Sequence, residues 1–213
     1  MTVEIWSDVV CPWCYVGKRR LESALAKFDR PVEVVWRSFE LDPSAPPVRE
    51  HSSAEHLAAK YGMSVEQAEQ SNAQMTELAA QEGLEYHLDR TRGGNSFDAH
   101  RLIHLAGRHG LQDAMKERLM RAYFTEGEPL GDKAILVRLA TEVGLDAAEA
   151  RAALEGEAFA DTVHADEELA ARIGIRGVPY FVLDRRYGVS GAQPSELLLE
   201  ALEKAWEERA DAA

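Results

Sequence analysis

Cys11 and Cys14 are the only cysteines among 213 residues, and Pro12 and Trp13 separate them. Two thiols at this spacing in the first turn of a helix can close a disulfide with little backbone movement. The chemistry open to them is thiol–disulfide exchange: one sulfur attacks, and the other resolves the mixed disulfide. Pro12 suits the first helical position, where its missing N–H costs nothing. The unpaired N–H groups and dipole of that turn place partial positive charge beside Cys11 and favour its thiolate. Cys11 is therefore expected to be the exposed nucleophile. Cys14 shares an inward stripe with Leu21 and Phe28, seven apart, and is expected to be the shielded resolving thiol. Pro12 and Trp13 tune the pair, and Trp13 is also a candidate contact for substrate or a plain surface aromatic.

Other chemistries fit less well. Two cysteines build neither a secreted disulfide framework nor a four-thiolate zinc site. His100 and His104 stand four apart on a predicted helix, a spacing that can hold metal, but Arg-Leu-Ile lies between them and the metalloprotease glutamate is missing. Helix packing or ordinary surface is the simpler role for both, and no metal site is expected. The net charge of −13, from 37 acidic and 24 basic residues, argues against nucleic acid or an anionic membrane as partner, because both are held by Lys/Arg patches. No run approaches the roughly 20 apolar residues of a membrane span. Met1–Asp8 has neither the basic nor the apolar region of a secretory signal, so a cytoplasmic location is expected.

The elements that must position the pair read as follows. Val3–Trp6 is a strand, a helix runs from Pro12 until Pro31 ends it, and Val32–Phe39 is a second strand, which together make a right-handed βαβ unit. From Ser53 to Ile173 the pattern is helical: Ser53–Tyr61, Ser64–Glu82, Ser96–His109, Gln112–Phe124, Asp132–Val143, Asp146–Glu155 and Phe159–Ile173. Gly83, Gly110 and Gly144 stand where helix-ending glycines belong. Val178–Leu183 and Tyr187–Ser190 form a hairpin around Asp184–Arg186, and a helix opening at Pro194 follows. The last helix covers the sheet in the simplest reading. In Val178-Pro179 the proline starts a strand and cannot donate a ladder bond; taken alone, the bond reads as trans, since only about 5% of X–Pro bonds are cis.

Four segments carry a resemblance across nearly the whole chain: Ser7–Gly17 around the cysteines, Ser96–Leu102, Gly177–Phe181, and Gly191-Ala192-Gln193-Pro194. In this order they resemble the FrnE-like branch of the DsbA family of thioredoxin-fold oxidoreductases. The resemblance implies an α/β fold with a four-stranded mixed sheet in the order 2-1-3-4 and a large all-helical insertion over the active site. The thioredoxin-like core would span 1–45 and 174–213, and the insertion 46–173. Pro179 would be cis and face the cysteines, leaving the Val178 backbone to pair with an extended substrate. The buried aspartate that thioredoxins place six residues before the nucleophile is here Ile5. Asp8 and His100 are candidate supporting residues, Asp8 for proton transfer or thiolate tuning. A solvated loop carboxylate is the plainer reading of Asp8.

The expected function is a protein-disulfide oxidoreductase or isomerase. It would work through a reversible Cys11–Cys14 disulfide with no bound cofactor, on protein or peptide thiols, with glutathione as a redox partner. The alternative is a glutathione-dependent transferase or isomerase of the kappa or chromene-carboxylate type, acting on small aromatic substrates, with Asn95-Ser96 and His100-Arg101 as its binding segment. A non-catalytic chaperone is a third reading.

Overall fold

The computed structural model describes residues 1–210. In chain order its elements are β1 (Thr2–Ser7), α1 (Pro12–Leu25), β2 (Glu33–Ser38), α2 (Ser53–Tyr61), α3 (Val65–Gln81), α4 (Phe97–Arg108), α5 (Gln112–Arg121), a π-helical turn (Ala122–Glu126), α6 (Lys133–Val143), α7 (Ala147–Glu155), α8 (Ala160–Arg172), β3 (Tyr180–Leu183), β4 (Tyr187–Ser190) and α9 (Ser195–Ala210). The chain divides into two compact units: Met1–Leu41 with the chain from His164 onward, and Asp42–Val163.

The first unit carries the sheet, in the order β2-β1-β3-β4. β1 runs parallel to β2 and antiparallel to β3, and β3 is antiparallel to β4. Strand alternation sends Val3, Ile5, Phe181 and Leu183 to one face, where all four are buried. α1 and α9 pack on each other, and α9 also meets β4. On the opposite face Trp6, Tyr180 and Val182 pack against Leu169 and Ala170 of α8 and against Ile175.

α8 is joined to that face by polar bonds as well. The Asp166 carboxylate accepts from the Ser38 N–H at 2.9 Å and from Arg37 at 3.0 Å, and its backbone carbonyl accepts from Trp6 Nε1 at 2.9 Å. This is why the sheet unit takes in the chain from His164, whereas the sequence reading begins the second core segment at 174. Arg37 also donates to Glu4, and its pKa is raised: burial pulls it down, but the hydrogen bond with Glu4 and the charges of Asp166 and Glu4 outweigh that.

One sequence expectation shifts, while the β3–β4 turn falls at Asp184–Arg186 as expected. α1 ends at Leu25, short of Pro31. The chain leaves through a tight turn, Phe28 N–H to the Leu25 carbonyl at 3.1 Å, so Phe28 is buried from outside the helix, edge-on to Trp206 at 6.1 Å. The β3–β4 turn places Asp184 at φ +46 and Arg185 at φ +56. Left-handed backbone costs a non-glycine residue about 1–2 kcal/mol. Asp184 is held there by the Thr2 N–H, 2.7 Å from its carboxylate. Arg185 has an ion pair with Glu4 at 3.1 Å, but its own side chain is 79% exposed, and such pairs contribute roughly 0–1 kcal/mol.

The second unit is helical. Capping boxes open α2 (Ser52 with Glu55) and α3 (Ser64 with Gln67). Gly83, Gly110 and Gly144 all have positive φ, as their position after helices requires. α5 does not run on to Phe124 as an α-helix. It widens into the π-helical turn, whose Phe124 carbonyl is taken by the His87 N–H at 2.7 Å. The proline-rich stretch after Leu41 is ordered by Asn95, which donates to the Pro46 carbonyl through its backbone and to the Pro43 carbonyl through its side chain.

Candidate active site

Cys11 is the N-cap of α1, with Pro12 in the first turn. A cap side chain ordinarily accepts an N–H from the second or third helical residue, but the Cys11 side chain makes no such bond. The Cys14 N–H instead bonds to the Cys11 carbonyl at 3.0 Å. Both sulfurs are free thiols. Cys14 is 1% exposed, in keeping with its place on the inward stripe. Cys11 is only 4% exposed, against the expectation of an exposed nucleophile. The chain before β3 covers it: Cys11 Sγ lies 3.7 Å from the Val178 carbonyl, a long sulfur-to-oxygen hydrogen bond. Trp13, between the cysteines, is 45% exposed.

The Val178–Pro179 bond is cis. Pro179 is buried and Val178 half-buried. Two elements hold this loop. The Pro179 carbonyl accepts from the Gly191 N–H at 2.8 Å, with Gly191 at φ +81. On the other side Gly17 of α1 lies so close that a Cβ there would stand 2.9 Å from Pro179 Cγ. Arg20, one turn further along α1, donates to the Ala192 carbonyl at 2.6 Å. The Gly191-Ala192 pair thus ties α1 and the Pro179 loop to the same point. Neither Gly17 nor Arg20 is singled out by the sequence, because neither residue type signals a contact with a loop made far later in the chain.

Asp8 is fully buried, not a solvated loop carboxylate. Its side chain accepts from the Leu41 N–H at 2.8 Å and from the Val10 N–H at 3.4 Å, and its carbonyl accepts from the Cys11 N–H at 3.4 Å. It therefore fastens the loop that presents Cys11 to the segment leaving β2. Ile5 is buried in β1, among apolar neighbours on its face.

His100 lies in the helical unit, buried on α4 at 1% exposure, while His104 stacks with Phe159 at 6.5 Å. No group of three or more His, Cys, Asp or Glu placed to hold a metal occurs among the described residues. The segment weighed as a glutathione site is engaged within its own unit. Arg101 donates to Asp98 at 2.6 Å and to the carbonyls of Ala158 at 2.8 Å, Gly156 at 2.5 Å and Ala153. Asn95, just before the Ser96 N-cap of α4, accepts from the Phe97 N–H at 2.9 Å. No described helix is long and apolar enough to cross a membrane.

Comparison with known proteins bears on this arrangement. The chain superposes on SCO1869 of Streptomyces coelicolor, described as a probable DsbA oxidoreductase, with a TM-score of 0.94 at 50% identity, covering 98% of this chain and 91% of that one. At the level of fold it is also similar to 2-hydroxychromene-2-carboxylate isomerase, with a TM-score of 0.76, 15% identity and full coverage of both chains. The cytosolic disulfide reductase DsbM of Pseudomonas aeruginosa, in a structure with glutathione, gives a TM-score of 0.68 at 20% identity, covering 97% of this chain and all of that one. The model of the DsbA-like thioredoxin domain matches residues 2–203. With that match running from β1 into α9, the chain belongs to the DsbA-like thioredoxin-domain family.

Proposed function

We propose that the protein catalyses thiol–disulfide exchange on protein or peptide substrates, with Cys11 as nucleophile and Cys14 as resolving thiol. The observation that carries this reading is the Val178 carbonyl 3.7 Å from the Sγ of a cysteine that caps a helix. Pro12 has no N–H, and the Trp13 N–H has no hydrogen-bond partner among the described residues. It is therefore a donor for negative charge on the Cys11 sulfur. In the reducing direction Cys11 loses its proton and its sulfur attacks a substrate disulfide, forming a mixed disulfide and releasing one substrate thiolate. Cys14, deprotonated in turn, attacks Cys11 Sγ, closes the Cys11–Cys14 disulfide and releases the second substrate thiol. Two electrons pass to the substrate; the oxidising and isomerising directions use the same steps reversed or combined.

Val178 and Pro179 are read as the substrate-binding loop. The Val178 N–H has no partner among the described residues, which suits pairing with an extended segment. Trp13 supplies apolar contact beside the sulfurs, Pro12 shapes the first turn, Asp8 positions the loop, and His100 is left as a supporting candidate. Glutathione fits as the small-molecule thiol partner. The same reading places the protein in the cytoplasm, the compartment named for DsbM, and within the family in its FrnE-like branch on the four segments quoted above.

The test is trapping. A Cys14→Ala variant should accumulate a covalent mixed disulfide through Cys11 when given a disulfide-bonded protein such as insulin, and Cys11→Ser should neither form the adduct nor reduce insulin. Undiminished insulin reduction by Cys11→Ser would sink the assignment.

A further inference from the structure

The sheet face opposite α1 holds a cavity of about 390 Å³ that exchange chemistry does not use. Its walls are Trp6, Tyr180 and Val182 from the strands, Leu169 from α8 and Ile173 from the turn that follows it. Ile173 is 49% exposed, an apolar side chain facing solvent at this cavity. Gly188 leaves the room that the Tyr180 hydroxyl occupies. At the hairpin end the lining turns polar, with Glu4, Arg185 and Arg186.

Arg185 is the informative residue. It sits at φ +56 in a turn where glycine is the favoured occupant, and backbone strain of this kind is a pointer to use. Its sole partner among the described residues is Glu4, reached through Nε at 3.1 Å. The same Glu4 already binds Arg37 with its other oxygen. The two terminal nitrogens of the Arg185 guanidinium thus remain open, in the fork geometry that matches a carboxylate.

We propose that this cavity binds a flat apolar molecule carrying one carboxylate, the ring system against Tyr180, Val182 and Ile173 and the carboxylate on Arg185. A cavity of roughly 150 Å³ takes up benzene, so this one has room for two fused rings and a carboxylate. An apolar wall with a few polar groups gathered at one end, here Glu4, Arg185 and Arg186, is the usual make-up of a small-molecule site.

The probe is 1-naphthoate, titrated against the full chain and followed by backbone amide chemical shifts, with the neutral analogue 1-naphthalenemethanol beside it. Saturable naphthoate binding is expected, with the largest shifts at Tyr180, Val182 and Gly188, and at least tenfold tighter than the alcohol. Arg185→Gly should weaken naphthoate at least tenfold without loss of thermal stability, since glycine relieves the turn. Ile173→Glu, at an exposed position that leaves the core intact, should weaken it to a similar degree by placing a like charge at the mouth. Equal binding of acid and alcohol, equal binding by Arg185→Gly and the unaltered chain, or no saturable shift up to the solubility of the probe would each overturn the proposal.

Discussion

Gly17 offers a test of how tightly α1 governs the redox site. A methyl group at this position would lie 2.9 Å from Pro179 Cγ and 3.4 Å from Phe181 Cζ. Ordinary carbon–carbon contact is about 3.5–4.0 Å, so the Pro179 loop must retreat by roughly 0.5–1 Å. Two opposing effects set the stability of Gly17→Ala. Replacing glycine in a helix interior gains about 1 kcal/mol, and overpacking costs about 1–3 kcal/mol. The expected net is a loss of about 0–2 kcal/mol, with Tm falling by roughly 2–4 °C for each kcal/mol in a chain of this size. Reactivity should change more. The Val178 carbonyl covers Cys11 Sγ at 3.7 Å, already long for a hydrogen bond, and a further half ångström would abolish that contact and uncover the sulfur. Alkylation of Cys11 by iodoacetamide, measured in a Cys14→Ala background, should accelerate severalfold, while insulin reduction by the otherwise unaltered Gly17→Ala protein should slow. If Gly17→Ala proves about 1 kcal/mol more stable and alkylates at the unaltered rate, α1 does not set the position of the Pro179 loop.

The helical unit makes its own predictions. Arg101→Met removes donors from three backbone carbonyls and from Asp98 at a side chain only 4% exposed. The loss should be about 3–5 kcal/mol in urea denaturation, and a change below about 1 kcal/mol would show that the carbonyls find other donors. Glu142 is held below the usual carboxylate range by its hydrogen bonds to Arg118 and then Arg138, at 2.7 and 2.8 Å. A lowered carboxylate contributes stability above its unfolded pKa and loses it as pH falls through the folded value. With Glu142 40% exposed, Glu142→Gln should cost under about 1 kcal/mol at pH 7, nothing near pH 2, and less in 1 M salt. A difference that is flat with pH would refute the charge-based account.

Sequence pattern reached far into this structure, for reasons that differ by element. Strands β1, β3 and β4 and most helix boundaries follow from alternation, capping boxes and glycines, all local signals. Local signals also misled. The seven-residue stripe through Cys14 and Leu21 extends in sequence to Phe28, which packs on Trp206 from beyond the end of α1. The burial of Cys11 and Asp8 was invisible because both are covered by backbone, Val178 for one and Leu41 for the other, and backbone leaves no trace in residue type. The allegiance of α8 rested on Asp166, a residue that reads as surface until Ser38, Arg37 and Trp6 are seen to converge on it.

The pairing of Ile5 with Phe181 has a consequence during synthesis. Both thiols leave the ribosome with the first strand and helix, while Val178, Pro179 and the strand that seats them are made only after the whole helical unit. At about 5–20 residues per second, the interval is on the order of ten to thirty seconds. For that time Cys11 lacks its carbonyl cover and β1 lacks an antiparallel neighbour, so the nascent chain carries its most reactive atoms before the structure that disciplines them. Folding of the intervening helical unit shortens the effective loop that β3 must close to reach β1.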